Sequence, residues 1–259
     1  LKSRVTTFDA GAVAERQDTL AIEEPLELRG VVGGESHVLT VTMRTPGFDA
    51  ELAVGWLLSE GIITSSDDLQ SIQHLDEESN ILEVRFRHSP KLEPRLHATS
   101  SACGVCGTAS IEVLHKRGLT RFEDQARITS HAVLMMPDQL RQAQGMFDLT
   151  GAIHAGGLFS LGGRLIQSRE DIGRHNALDK LIGWAMLNDV PLEQRAVLVS
   201  GRAGFEIVQK CALARVPIIC AVGAPSSLAV QLALDVNMTL IGFLRGRRFN
   251  VYSGLERIV

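Results

Sequence analysis

Residues 196–244, AVLVSGRAGFEIVQKCALARVPIICAVGAPSSLAVQLALDVNMTLIGFL, decide the fold. Three short apolar runs, Ala196–Val199, Pro217–Val222 and Thr239–Leu244, alternate with two helical stretches, Phe205–Leu213 and Ser226–Asp235. Strands separated by helices of about ten residues imply βαβ units and parallel pairing. The runs are apolar throughout, as expected of strands covered on both faces. The chain is therefore expected to be α/β.

Upstream, His175–Met186 reads as an amphipathic helix. Residues 145–173 hold seven glycines, which divide Ala152–His154, Gly157–Leu161 and Leu165–Ser168 into separate short strands. Pro137–Gln144 reads as a helix. Towards the N-terminus, Leu26–Val32 and His37–Met43 form a hairpin around Gly33-Gly34. After the break at Pro46-Gly47, Phe48–Glu60 is helical, with Leu52, Trp56 and Leu57 on one face and Gly61 as its C-cap. Asn80–His88 is a strand, Ser89–Ser101 a loop, and Thr108–Lys116 a short helix. The first twenty or so residues read as an arm. Two units are expected, a smaller α+β domain over 1–120 and an α/β domain over 121–259.

The 259 residues are 45% hydrophobic and 22% charged, which is ordinary globular composition. No apolar run approaches the ~20 residues of a membrane span. The N-terminus has no apolar signal core, so a cytoplasmic protein without a membrane partner is expected. Four cysteines make no disulfide scaffold. The net charge of −4 argues against a nucleic-acid binder. Its distribution is uneven. Residues 1–125 carry 12 Lys/Arg and 20 Asp/Glu, a net of −8; residues 126–259 carry 14 and 10, a net of +4. An anionic ligand belongs on the second half.

The sharpest local signal is Cys103-Gly-Val-Cys106-Gly. Two cysteines at this spacing can chelate a metal, form a disulfide, or carry sulfur. Zinc would need two further ligands. His97 and His115 fit no usual spacing, and Cys211 and Cys220 lie in apolar segments as small buried hydrophobes. The start of the helix after Thr108 would lower the Cys106 thiol pKa. A thiolate so placed can accept a sulfane sulfur and pass it on.

The other signals lie in the basic half. Glu170-Asp171-Ile172-Gly173-Arg174-His175-Asn176-Ala177-Leu178-Asp179-Lys180 opens a helix behind a glycine, a natural anion site. Arg174 and His175 are donors there, while Asp171 and Asn176 suit ribose hydroxyls or base edges. Ser200-Gly201-Arg202 and Gly223-Ala224-Pro225-Ser226-Ser227 both follow strands at the edge where parallel α/β sheets bind ligands. In Phe243-Leu244-Arg245-Gly246-Arg247-Arg248, guanidinium forks match phosphates and Phe243 can stack on a flat ring. Ile153-His154-Ala155-Gly156 lacks the glutamate of the zinc deaminase His-x-Glu, and no Pro-Cys-x-x-Cys follows it, so deaminase chemistry is not expected.

Taken together, the segments at 101–107, 151–155, 170–180, 200–202, 224–229 and 242–245 resemble the FdhD family of formate dehydrogenase accessory sulfurtransferases, from about residue 20 to the end. The resemblance implies a persulfide carrier. Cys103 would take sulfur from a cysteine desulfurase, Cys106 would assist, and the sulfur would pass to the molybdenum cofactor, bis(molybdopterin guanine dinucleotide), before its insertion into formate dehydrogenase. It implies cofactor contacts at Phe243, Leu244, Arg245, Gly246, Arg247 and Arg248. Ser200, Gly201, Arg202, Asp171, Arg174, His175 and Asn176 complete the expected set, and guanine nucleotides are expected to mimic the cofactor. It also implies a cytidine-deaminase-like three-layer domain and a homodimer. Two rivals remain: a cofactor chaperone without persulfide chemistry, and a structural zinc protein.

Overall fold

The computed structural model describes residues 1–75, 80–88, 90, 119–123 and 125–259. The Cys103/Cys106 pair and the expected helix at 108–116 lie outside the described residues.

β1 (Lys2–Asp9) and β2 (Ala12–Thr19) form an antiparallel hairpin, paired from Lys2↔Thr19 to Asp9↔Ala12. The expected arm is thus a two-stranded ribbon. Its side chains remain largely exposed on both faces, so no apolar alternation marks it in the sequence. β3 (Glu24–Val32) and β4 (Glu35–Arg44) form the expected hairpin. Gly33 and Gly34 sit at its turn with φ of 61° and 88°, which a two-residue loop of this kind requires. β5 (Leu69–His74) and β6 (Ile81–Phe86) complete a four-stranded sheet in the order β4-β3-β6-β5, with β3 and β6 parallel.

Helix α1 (Asp49–Ser59) covers one face of that sheet, burying Leu52, Val54 and Leu57 against Leu26, Leu28, Leu82 and Val84. Its first residue, Asp49, is clamped by Arg44 through two hydrogen bonds of 3.0 Å.

The second sheet has six strands in the order β12-β11-β10-β9-β7-β8. β9 (Arg195–Val199), β10 (Ile218–Ala221) and β11 (Thr239–Arg245) are parallel. β7 (His154–Ser160) and β12 (Arg248–Ser253) flank them antiparallel, and β8 (Leu165–Asp171) pairs antiparallel with β7 at the outer edge. Alternate residues of the central strands point to opposite cores. Val197, Val199, Ile219 and Leu240 pack beneath α4 (Arg174–Leu187), α5 (Phe205–Leu213) and α6 (Ser227–Asp235). Leu198, Ile218, Cys220 and Ile241 pack with residues of α2 (Ser130–Gln142) on the other side. A short helix, α3 (Gly145–Thr150), follows α2. The architecture is mixed α/β, with helices on both faces of the larger sheet.

Two boundaries differ from the sequence reading. α2 starts at Ser130 rather than Pro137, because Thr129 caps it by accepting a hydrogen bond from the Ala132 amide at 3.1 Å. Pro137 lies inside the helix rather than opening it. The segments at 152–154 and 157–161 are not two strands; His154–Ser160 is one. Gly156 and Gly157 do not turn the chain but let neighbours approach. A Cβ on Gly157 would lie 2.8 Å from the Phe159 ring, and one on Gly156 would touch Leu181 of α4.

The two sheets meet through α1 and α4, which cross backbone to backbone. A Cβ on Gly55 would lie 2.0 Å from the Asp179 carbonyl oxygen, and one on Gly183 would lie 1.8 Å from that of Glu51. Glu51 also accepts both fork nitrogens of Arg169, whose guanidinium lies over the Phe48 ring at 4.1 Å.

Candidate functional site at the carboxyl edge of the six-stranded sheet

The carboxyl ends of β9, β10 and β11 open onto three loops tied to one another. The Gly223 amide donates to the Gly201 carbonyl at 2.9 Å, the Ser226 amide to Ala203 at 3.1 Å, and the Phe243 amide to Gly223 at 3.0 Å. Small residues are needed here. A Cβ on Gly223 would stand 3.0 Å from the Gly201 carbonyl oxygen and from Arg202 Cγ. Ser200 turns its hydroxyl to β7, where Oγ accepts from the Ala155 amide at 2.9 Å.

Beside this edge is a cavity of about 670 Å³. Its strand wall is Leu198, Ser200, Val222, Leu244, Arg245 and Gly246, joined by His154 from the start of β7. Its helix wall is contributed by α2 and α3, with Asp138, Arg141, Gln144 and Phe147. A cleft mostly apolar in lining with a few convergent polar groups is the usual form of a small-molecule site. Arg245 is exposed at the mouth, and Gly246 takes φ +60° in the tight turn between β11 and β12. Arg245 pairs in register with Arg248. Arg248 and Arg247 are exposed on this hairpin outside the cavity lining, and Arg245 also lies 5.7 Å from the centre of the half-buried Phe243 ring.

A second polar cluster lies next to it. Arg174 is the first residue of α4, and its Nε is buried without a hydrogen-bond partner among the described residues. A Cβ on Gly201 would sit 3.5 Å from His154 Nδ1 and 3.8 Å from Arg174 Cδ, so these three residues adjoin. Burial pushes the His154 pKa down, and the positive charge of Arg174 pushes it further. His175 is driven down to about 3 by burial, then by Arg174, Lys210 and His154. Its imidazole is therefore neutral near pH 7, although it stands 3.1 Å from the Glu206 carboxylate. The Arg174 guanidinium, with a donor left without a partner among the described residues, and the start of a long helix make this region receptive to an anion.

Asp171 and Asn176 do not share that exposure. Asp171 is fully buried. Its carboxylate accepts from the amides of Thr45 (3.1 Å) and Gly173 (2.8 Å) and pairs with Lys180 at 2.7 Å. Asn176 donates to Asp171 and, at 2.8 Å, to the Met43 carbonyl. Both were expected to face the ligand. Their polar atoms instead join the loop after β4 to the start of α4, which fixes Arg174 and His175 in place. Arg202 is exposed at the β9 loop. The sequence reading assigned no site role to the helix wall. Nothing in the pattern around Asp138 and Gln144 distinguishes them from surface residues.

This architecture, with its glycine-lined edge and basic cluster, is that of a known class. The model of the FdhD/NarQ family matches residues 21–259, and the chain belongs to that family. It is 46% identical to the sulfur carrier protein FdhD of Nocardia farcinica, covering 99% of this chain and 94% of that protein. It is 41% identical to the protein of the same name from Sulfurisphaera tokodaii, covering 95% and 94%. Among solved structures, a putative formate dehydrogenase accessory protein from Desulfotalea psychrophila superposes with a TM-score of 0.80 at 25% identity, covering 100% of this chain and 99% of that one.

Proposed function

We propose that this chain is a cytoplasmic sulfur carrier that loads the molybdenum cofactor, bis(molybdopterin guanine dinucleotide), for formate dehydrogenase. The sulfur half of the proposal is supported by the relatives' names and by the Cys103-x-x-Cys106 pair. The observation that carries the cofactor half is the cavity at the sheet edge, with Arg245, Ser200 and His154 on one wall and, adjacent, the Arg174 Nε that has no partner among the described residues.

The chemistry is a sequence of thiolate displacements. The Cys103 thiolate attacks the terminal sulfur of the persulfide on a cysteine desulfurase. A new S–S bond forms on Cys103, the donor's S–S bond breaks, and the donor cysteine leaves as thiolate. Cys106 then attacks Cys103 Sγ. The terminal sulfur departs as sulfide towards the cofactor, and a Cys103–Cys106 disulfide remains for a cellular thiol to reduce. The anionic halves of the cofactor are held by Arg245, Arg174 and the amides of the 200–202 and 223–226 loops, with Arg202, Arg247 and Arg248 drawing them in. Asp171 and Asn176 support this site from inside. The carrier acts as a homodimer.

Intact mass without reductant, after incubation with a cysteine desulfurase and cysteine, tests the sulfur half. Wild type gains one sulfur atom, Cys106→Ala gains and retains it, and Cys103→Ala gains none. No added sulfur on any form, with an active desulfurase, overturns the carrier reading in favour of a cofactor chaperone.

A further inference from the structure

The arginines of the basic half fall into three groups. Arg141, Arg169 and Arg257 each pair with a carboxylate. Arg174, Arg202, Arg245, Arg247 and Arg248 belong to the carboxyl edge described above. Arg127, Arg164, Arg195 and Arg215 lie at the opposite, amino edge of the same sheet. Arg195 opens β9 opposite Ser160 at the end of β7, and the Ser160 amide donates to the Arg164 carbonyl at 3.0 Å across the β7–β8 turn. Ala196 pairs with Ile218, which brings Arg215, just ahead of β10, to the same edge. Arg121 joins them, because the Phe122 amide beside it donates to the Val236 carbonyl ahead of β11 at 2.8 Å. Arg127 precedes Ile128, whose amide donates to the Arg257 carbonyl beyond β12 at 2.9 Å. Strands lie about 4.8 Å apart, so Arg164, Arg195, Arg215 and Arg121 follow one another along the edge. β9 is 5 residues long, which puts about 17 Å between this edge and the cavity edge.

None of these five arginines pairs with a carboxylate among the described residues, although Glu123 and Glu193 are exposed close by in the chain. Arg121, Arg127 and Arg164 are exposed. Arg215 is preorganised. Its guanidinium lies 4.4 Å from the centre of the buried Phe122 ring, and Nη1 donates to the Thr120 carbonyl (3.1 Å) and hydroxyl (2.8 Å). It also takes the left-handed position, φ +60°, that ends α5, where the Arg215 and Val216 amides donate to Ala212 and Cys211. Glycine is usual there, and a side chain costs about 1 kcal/mol. Arg195 spends Nη1 on the Gln194 carbonyl at 2.8 Å, while its buried Nε has no partner among the described residues.

We infer that this edge is a docking surface for an acidic segment of a partner protein. Carboxylates of that segment bind the guanidinium forks of Arg164, Arg195 and Arg215. Arg195 swings its Nε and Nη2 together onto one of them. Carboxylates are favoured over a nucleic acid, because the Phe122 ring beneath Arg215 is buried and offers no base a stacking face. A partner docked here leaves the cavity at the other edge open.

The test is fluorescence anisotropy of a labelled peptide of alternating glutamate and serine, titrated with the full chain at low and at physiological ionic strength. Far-ultraviolet circular dichroism checks the fold of each variant, and GDP binding reads the cavity separately. Wild type binds the peptide, more tightly at low salt, and binds a glutamine–serine peptide at least about tenfold more weakly. Arg164→Gln/Arg195→Gln weakens the glutamate peptide about tenfold or more and leaves GDP affinity within about twofold. Arg247→Gln/Arg248→Gln, at the carboxyl edge, changes peptide affinity by less than about threefold. Arg164→Gln alone, on the exposed turn, loses about threefold and carries the test if the double variant does not fold. Equal binding of the two peptides, no binding by wild type, or a loss confined to the carboxyl-edge variant overturns the inference. Oligothymidylate that binds more tightly than the peptide, and is lost in the amino-edge variant, overturns it in favour of a nucleic acid. GDP that fails to bind wild type counts against the cofactor reading and leaves this inference standing.

Discussion

Gly183 of α4 lies so close to Glu51 of α1 that a side-chain carbon on it would fall 1.8 Å from the Glu51 carbonyl oxygen. The contact is backbone against backbone, so no rotamer change can relieve it. Alanine is the better helix former by about 1 kcal/mol, yet here it must force the two helices apart. Gly183→Ala is expected to lower stability by at least about 3 kcal/mol in urea unfolding. Gly145→Ala, where a Cβ would meet no atom of the described residues within 4 Å, is expected to change it by less than about 1 kcal/mol.

Lys180 and Asp171 are both buried at the same junction, 2.7 Å apart. Removing one leaves the other charged and unpaired in the interior. Lys180→Met is expected to cost about 3–5 kcal/mol. The double variant Asp171→Asn/Lys180→Met should recover part of that loss, and a double-mutant cycle from urea unfolding measures it.

Stability should fall on the acid side through the histidines at the site. The folded-state pKa of His175 is depressed from the usual 6.5 to about 3, and that of His154 is depressed too. The unfolded chain therefore takes up protons that the folded chain does not. The stability present above pH 6.5 is lost as pH falls towards 3, with a slope from His175 of at most about 1.4 kcal/mol per pH unit. His175→Gln should flatten the profile in that window, as read by thermal or urea unfolding between pH 7 and 4.

Arg245 lines the cavity, whereas Arg247 is exposed on the hairpin outside its lining. Arg245→Ala is expected to weaken GDP binding about tenfold or more, through loss of a charge-assisted contact. Arg247→Ala should weaken it by less than about threefold, and only at low salt, because its attraction is screened. Calorimetric titration at two ionic strengths separates the two.

The parallel core was legible because its strands are apolar on both faces and its helices are short, and Gly33-Gly34 marked one hairpin plainly. The β1–β2 ribbon was not, since neither of its faces is buried enough to impose alternation. Pro137 misled because proline commonly opens helices, while the cap was Thr129, eight residues earlier. Gly156 and Gly157 looked like turn residues, yet they serve close packing, which a sequence does not distinguish from turning. Within 170–180 the residue types pointed to a polar site. Successive helical residues diverge by about 100°, however, so Asn176 turns inward with Asp171 while Arg174 and His175 face the edge.

The central claim is that sulfur passes from this chain to a cofactor held in the sheet-edge cavity. Cys103 would be loaded with ³⁵S from a cysteine desulfurase, excess donor removed, and the labelled protein incubated with bis(molybdopterin guanine dinucleotide) and a thiol reductant. The account predicts that label leaves the wild-type protein and co-elutes with the cofactor, and that Arg245→Ala transfers it markedly more slowly. Label that stays on the protein, or that is lost at the same rate without the cofactor, would contradict it.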